Sequence, residues 1–315
     1  MSNNNLSTTT GNGLQATDSQ IGMANKLILQ TQGTYIAKIN RDNPTALVFL
    51  IDQSGSMSGG ELTIDGLVMN KADAAARIVN ATLNELLMKA TREGEMRNYI
   101  DFAIIGYGAK STANLLWTGN LAGKTWVTTQ ELANNGTKIE IEKQTVLPNG
   151  TTRTTKKETQ KWIEPVAAGL TPMHSALCQA ADLLKQWIVG HQESYPPVVI
   201  NITDGAATDA KATQLITDAQ NIKQLRTNDG HVLLLNCHLS DTEGDALMFP
   251  NSISELPNDE YANCLFEMSS FMPHRYTDDI TRAKERTDNI NQAYKGMSFN
   301  TDGSRLIRFI TIGSS

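Results

Sequence analysis

An α/β fold, doubly wound around a mainly parallel sheet and flanked by helices, is predicted by three features of the sequence. Ala46 to Ile51 (ALVFLI) is an uninterrupted apolar run ending on Asp52, the pattern of a strand buried on both faces. A second such run, Val198 to Thr203, ends on Asp204-Gly205. Around these runs apolar residues recur at three- and four-residue steps, so helices alternate with strands. Sheets of this kind present ligands at the carboxyl ends of their strands, which directs attention to the loops after Asp52 and Asp204.

Composition narrows the function classes. The 315 residues are 40% hydrophobic and 19% charged, ordinary for a chain that buries a full core. A net charge of −6 argues against nucleic acid or an anionic membrane as the main partner, since both need basic patches. No apolar run reaches the ~18–20 residues of a spanning helix, and the N-terminus (MSNNNLSTTTGNG) lacks a secretory pattern. Cys178, Cys237 and Cys264 cannot pair completely and form no Cys-x-x-Cys or Cys/His cluster in sequence. They read as reduced core thiols of a cytoplasmic protein.

Taken in order, residues 1–34 read as a disordered, polar arm and residues 35–315 as one domain. Tyr35 to Ile39 suggests a short edge strand ended by Asn43-Pro44. The helix after the serine turn is expected from about Glu61 to Thr91, with Val68, Ala72, Ala75, Val79 and Leu83 on one face. Tyr99 to Tyr107 is the next strand, its end loosened by Gly106 and Gly108. Residues 110–164 break the αβ rhythm as a surface insertion: Lys138–Leu147 and Thr151–Lys157 flank an Asn149-Gly150 hairpin turn. Trp117, Trp126 and Trp162 fall in this region and are expected to anchor it. A helix opens near Pro172, where a missing N–H costs nothing. Thr208 or Asp209 is expected to cap the next helix, to about Arg226. Strand His231–His238 and helices Asp259–Ser270 and Asp278–Tyr294 follow, and Arg305–Ile312 (RLIRFITI) reads as a closing strand.

The candidate site begins with Asp52, Ser54 and Ser56 in the turn after the first buried strand. One carboxylate and two hydroxyls are hard oxygen donors, the set that suits Mg²⁺, with Mn²⁺ as a substitute. Asp204 supplies a second carboxylate from another strand end. His174 is a weak candidate because Mg²⁺ disfavours imidazole; a capping or solvent-facing role is expected for it.

Asp52-x-Ser54-x-Ser56, then Thr171 before a helix, then Thr203-Asp204-Gly205 resemble the metal-ion-dependent adhesion site of von Willebrand factor A (vWA) domains. The resemblance spans about Asn43 to Ile312 and implies a Rossmann-like sheet. It also implies a Mg²⁺ held by Asp52, Ser54, Ser56, Thr171 and Asp204, with one coordination position open to an Asp or Glu of a protein partner. Asp42-Asn43-Pro44, Ser194-Tyr195-Pro196-Pro197 and Leu306–Gly313 are similar to segments of bacterial, cytosolic, tellurite-resistance-associated vWA proteins. Those accompany a PPM-type phosphatase and a protein kinase in stress-response or phage-defence loci, which makes such proteins the partners the resemblance implies.

Catalysis finds less support. An aspartate-nucleophile phosphatase needs a second Asp where Ser54 stands. A Gly-x-Ser-x-Gly elbow fails because Met57 occupies the centre of Gly55-Ser56-Met57-Ser58-Gly59. The expectation is a non-enzymatic, Mg²⁺-dependent interaction module in a signalling system. The alternatives are a vWA subunit of an AAA-type remodelling ATPase and, behind it, a Mg²⁺-dependent hydrolase.

Overall fold

The computed structural model describes residues 33–92, 94–239, 246–284, 293–301 and 303–313. Residues 1–32 of the expected arm lie outside this set. In chain order the elements are β1 (Thr45–Asp52), β2 (Leu62–Ile64), β3 (Leu67–Met69), α1 (Lys71–Ala90), β4 (Thr91–Arg92), β5 (Glu95–Met96), β6 (Ile100–Tyr107), β7 (Ala113–Leu115), β8 (Val127–Thr128), α2 (Thr129–Asn134), β9 (Thr137–Val146) and β10 (Thr152–Lys161). They continue with α3 (Met173–Val189), β11 (Val198–Thr203), α4 (Ala212–Gln224), β12 (Leu233–His238), β13 (Leu247–Met248), α5 (Glu260–Met268), α6 (Thr277–Lys284), β14 (Met297–Phe299) and α7 (Gly303–Gly313).

The central sheet runs β13-β14-β12-β11-β1-β6-β7, with β8 also paired to β6. β14, β12, β11, β1 and β6 are parallel, while β13, β7 and β8 join antiparallel at the edges. Helices cover both faces, giving the doubly wound α/β fold. The two-residue period of β1 divides the core. Leu47, Phe49 and Ile51 pack with Ala75, Val79 and Leu83 of α1 and Phe309 of α7. Ala46, Val48 and Leu50 pack with Leu177, Ala180 and Leu184 of α3 and Ala219 of α4. Each fully buried Leu, Ile or Phe stabilises by about 1.5–3 kcal/mol, so β1 is buried on both sides for a definite energetic reason.

Several expected elements are corrected. Tyr35–Ile39 is not a strand; its amides at Ile36 and Ala37 donate instead to the Asp229 carboxylate. The stretch from Glu61 begins as the β2–β3 hairpin, turned by Asp65 and Gly66 at positive φ, as an Asp-Gly turn favours. Val68 is therefore an exposed strand residue, and α1 starts after Asn70, whose side chain accepts the Asp73 N–H. The closing strand is α7 instead. Leu306, Phe309 and Ile310 are buried at helical spacing, so tertiary packing against α1 overrides β-branched propensity. Of the helix expected over Asp278–Tyr294, Thr277–Lys284 is observed as α6, Ala293 and Tyr294 are not helical, and residues 285–292 lie outside the described set.

The insertion is more integrated than expected, because β7 and β8 extend the central sheet. β9 and β10 form the expected antiparallel hairpin. Trp117 and Trp162 are buried, and Trp162 Nε1 donates to the Leu132 carbonyl at 2.9 Å. Asn80 of α1 fixes the hairpin's return: its Oδ1 accepts the Trp162 N–H at 2.9 Å and its Nδ2 donates to the Ile163 carbonyl at 3.0 Å.

Candidate metal and docking site

Parallel register sets the site. Ile51 lies opposite Ile202, so Asp52 emerges beside Thr203, with Asp204 one residue further out. The Asp52 carboxylate accepts the Ser54 N–H through Oδ1 at 2.9 Å and the Thr203 hydroxyl through Oδ2 at 2.8 Å. Ser54 Oγ and Ser56 Oγ are 2.9 Å apart, and the Ser56 hydroxyl donates to Asp204 Oδ1 at 2.8 Å. Side-chain oxygens thus link Ser54, Ser56 and Asp204, and the Ser54 backbone N–H ties Asp52 to them. Asp52 and Ser54 are buried, whereas Ser56 faces solvent, so the cluster has a deep end and an open end.

Thr171 comes to the same edge by its backbone. Its N–H donates to Thr208 Oγ1 at 3.0 Å and its carbonyl accepts the Thr208 N–H at 2.9 Å. The preceding Gly169 carbonyl accepts the Gly55 N–H at 3.0 Å. Among the described residues, no direct hydrogen bond joins the Thr171 hydroxyl to the other four. Two glycines permit this three-loop junction. A Cβ on Gly169, at φ +79°, would overlap the Gly108 carbonyl oxygen, and one on Gly108, at φ +144°, would overlap Gln53 and Ser54. Gly108 therefore does not loosen the end of β6; it admits a neighbouring loop. Asp209 is likewise reassigned. Its carboxylate accepts the His174 and Ser175 N–H groups at 3.1 and 3.0 Å, capping α3, while α4 begins after Lys211 without a side-chain cap.

Two residues escaped sequence reading. Lys71, the first residue of α1, donates from Nζ to Asp204 Oδ2 at 3.2 Å, with both side chains largely buried. His238 ends β12, stacks on Phe299 at 4.9 Å between ring centroids and is buried. Burial holds its imidazole below the ordinary value. Neither had a sequence signal, because both reach the site across the fold.

Burial pushes the Asp52 carboxyl above its usual range; the bonds from Ser54 and Thr203 pull back, and the Asp204 charge adds to the rise. Beneath it, burial pushes the Tyr107 phenol well up, with the Asp52 charge next in importance; its hydroxyl donates to Asn201 Oδ1 at 2.8 Å. Asp52 and Asp204 thus bring two buried carboxylates together, Asp204 paired with the Lys71 ammonium, and water is excluded from the deep end around Asp52 and Ser54. Such a site favours an additional cation. Carboxylate and hydroxyl oxygens without a sulfur or imidazole donor among them suit Mg²⁺ or Mn²⁺. The donor set fits the ion.

The cysteines divide. Cys237 and Cys264 are buried thiols, but Cys178 is exposed, correcting its reading as a core residue. His174 Nδ1 lies 2.6 Å from Asp218 Oδ2 and 3.7 Å from Cys178 Sγ, so a Cys/His cluster does exist.

No family model matches the chain, and no curated protein matches it. Among solved structures, it is similar to proximal thread matrix protein 1 from the mussel byssus, at 12% identity and a TM-score of 0.36. That match covers 74% of this chain and 41% of the mussel chain, so this chain spans less than half of its length. Among the described residues, no helix is long and apolar enough to cross a membrane.

Proposed function

We propose that the chain is a Mg²⁺-dependent protein-interaction module of the vWA type. Asp52, Ser54, Ser56, Thr171 and Asp204 would hold one ion, with Mn²⁺ as a substitute, and an Asp or Glu of a protein partner would complete its shell. The observation that carries this reading is the hydrogen-bonded cluster of buried Asp52 with Ser54, Ser56 and Asp204, which gathers two carboxylates and two hydroxyls at the carboxyl edge of the parallel strands. When bound, the ion supplies a positive centre that prefers an anionic sixth ligand. The chain's own residues orient it: Thr203 fixes Asp52, the Ser56 hydroxyl fixes Asp204, and Thr208 fixes the Thr171 loop.

The surface around the site suits a protein more than a small substrate. Leu170, next to Thr171, and Tyr261, beside the Gly205–Ala207 loop, are large exposed apolar residues. A binding role in a bacterial stress-response or defence signalling system, with a phosphatase or kinase as partner, follows from the motif resemblance. The reading takes the module to be non-enzymatic: Ser54 stands where a phosphatase's second Asp would be, and His238 is buried under Phe299 instead of exposed to a substrate.

The test is co-purification from the native host with Mg²⁺, with EDTA, and with Thr171→Ala. A phosphatase or kinase that is retained with Mg²⁺ and lost in the other two arms supports the reading. A partner retained equally in EDTA overturns it, and Mg²⁺-dependent turnover of a phosphoester that Asp204→Ala abolishes would show an enzyme.

A further inference from the structure

We propose that His174, Cys178 and Asp218 form a second, independent metal site, selective for a borderline transition-metal ion of the Zn²⁺ class. His174 and Cys178 stand four residues apart on the first turns of α3, hence on one face, and Asp218 faces them from α4. Their ligand atoms all lie within 4.8 Å of one another. A tetrahedral ion with Zn–N and Zn–O near 2.0 Å and Zn–S near 2.3 Å needs an N···S separation of about 3.5 Å and an N···O separation of about 3.3 Å. The Cys178 Sγ to His174 Nδ1 distance is 3.7 Å, close to that requirement. The 2.6 Å contact between His174 Nδ1 and Asp218 Oδ2 is a hydrogen bond whose proton the ion would replace. The pair need open by only about 0.7 Å to reach that tetrahedral separation, and the half-exposed imidazole can turn to allow it.

Surrounding groups hold the ligands in place. Gln214 Nε2 donates to Asp218 Oδ1 at 2.9 Å, leaving Oδ2 as the coordinating atom, and such outer partners orient metal ligands. Asp209 fixes the His174 backbone. Asp218 is almost fully buried while Cys178 is exposed, so an ion can enter from solvent and a water can fill the fourth position. Imidazole, thiolate and one carboxylate match Zn²⁺ rather than Mg²⁺, so this site and the oxygen cluster select different ions.

The same three residues do not make a cysteine nucleophile. Cys178 Sγ is nearer to Nδ1, which Asp218 occupies, than to Nε2 at 4.0 Å. Burial and the charges of Asp218, Asp182 and Asp209 push its thiol up, whereas an activated nucleophile needs it lowered. A dication reverses that balance: it binds the thiolate and its proton leaves to solvent.

Co²⁺ titration of the chelator-stripped, full-length protein tests the assignment, because thiolate ligation gives a near-ultraviolet charge-transfer band and tetrahedral geometry gives intense visible bands. The expected result is one such site, with Zn²⁺ displacing Co²⁺ and slowing alkylation of Cys178. Cys178→Ser should abolish the charge-transfer band, and His174→Gln and Asp218→Asn should each weaken Co²⁺ at least tenfold. Asp52→Ala should leave the bands unchanged, which separates this site from the Mg²⁺ site. If Asp218→Asn unfolds, the two surface variants decide. Absence of a charge-transfer band in the wild type, or a band that survives His174→Gln at full affinity, overturns the proposal.

Discussion

Lys71 Nζ sits 3.2 Å from Asp204 Oδ2, both side chains withdrawn from solvent, so the candidate ion site already contains one positive charge of its own. Lys71 is the first residue of α1, and Asp204 follows β11 in a different part of the chain. Their pairing ties the helix start to the sheet edge and gives Asp204 a cationic partner in addition to Ser56.

Lys71→Met should therefore have opposite effects on folding and ion binding. Leaving Asp204 buried without its ammonium should lower stability by about 3 kcal/mol in EDTA. The removed positive charge no longer competes, so Mg²⁺ should bind several-fold tighter and restore most of that loss. Thermal melts with and without Mg²⁺, beside calorimetric titration, measure both; equal melts in the two conditions would refute the coupling.

Removal of the ion should leave the fold intact. Buried side chains on both faces of β1, each worth about 1.5–3 kcal/mol, outweigh what one ion site adds. Circular dichroism in EDTA should match that in Mg²⁺, while Asp52→Ala should weaken Mg²⁺ binding at least tenfold in calorimetry.

Gly169→Ala should damage the site more than the core. The added Cβ overlaps the Gly108 carbonyl and the residue holds φ +79°, a combination that costs about 2 kcal/mol or more. The expected outcome is a lower melting temperature together with weakened Mg²⁺ binding, since the Thr171 loop must shift. An unchanged affinity would mean that Thr171 plays no part in holding the ion.

Asn80→Ala should loosen the insertion. It leaves the buried Trp162 N–H and Ile163 carbonyl without partners, at about 1–3 kcal/mol for each orphaned group. Chemical denaturation should show a destabilisation of that order, and hydrogen exchange should show early loss of protection at Trp162.

A pH dependence arises at the carboxyl end of α5, where Lys295 and Lys223 both donate to the Ser269 carbonyl, at 3.0 and 3.5 Å. Burial lowers each lysine to about 8, and Lys295 further lowers Lys223. These folded values lie below the unfolded lysine value, so between them the unfolded chain binds more protons and stability rises with pH. The penalty is complete below pH 8 and is relieved progressively above it. The faces of Phe271 and Phe266, 4.3 and 5.2 Å from Lys295 Nζ, offset part of it. Buried Cys237 and Cys264, pushed up to about 12 and 11, act in the opposite sense as the unfolded thiols ionise, so the lysine effect is read as a difference. From pH 8 to about 9.5, short of tyrosine ionisation near 10, the denaturation midpoint of wild type should rise relative to that of Lys295→Met. A constant difference between the two profiles would contradict this.

The sequence by itself determined the parallel core strands, because an apolar run ending in Asp is legible without any neighbour. It also marked Asp52, Ser54, Ser56, Thr171 and Asp204, since strand ends and short motifs are local, and the Asn149-Gly150 hairpin, whose turn chemistry is local too. Where two periods fit the same short segment, it failed. RLIRFITI satisfies strand propensity and helical spacing alike, and only packing of Leu306, Phe309 and Ile310 against α1 decided for a helix. Contacts across the fold were beyond it: Lys71 on Asp204, Asp209 capping α3, Asn80 holding Trp162, and His174 and Cys178 meeting Asp218. Hydrogen bonds and ion pairs act over about 3 Å, and residues far apart in the chain come that close only after the core has set the positions of the strands and helices that carry them.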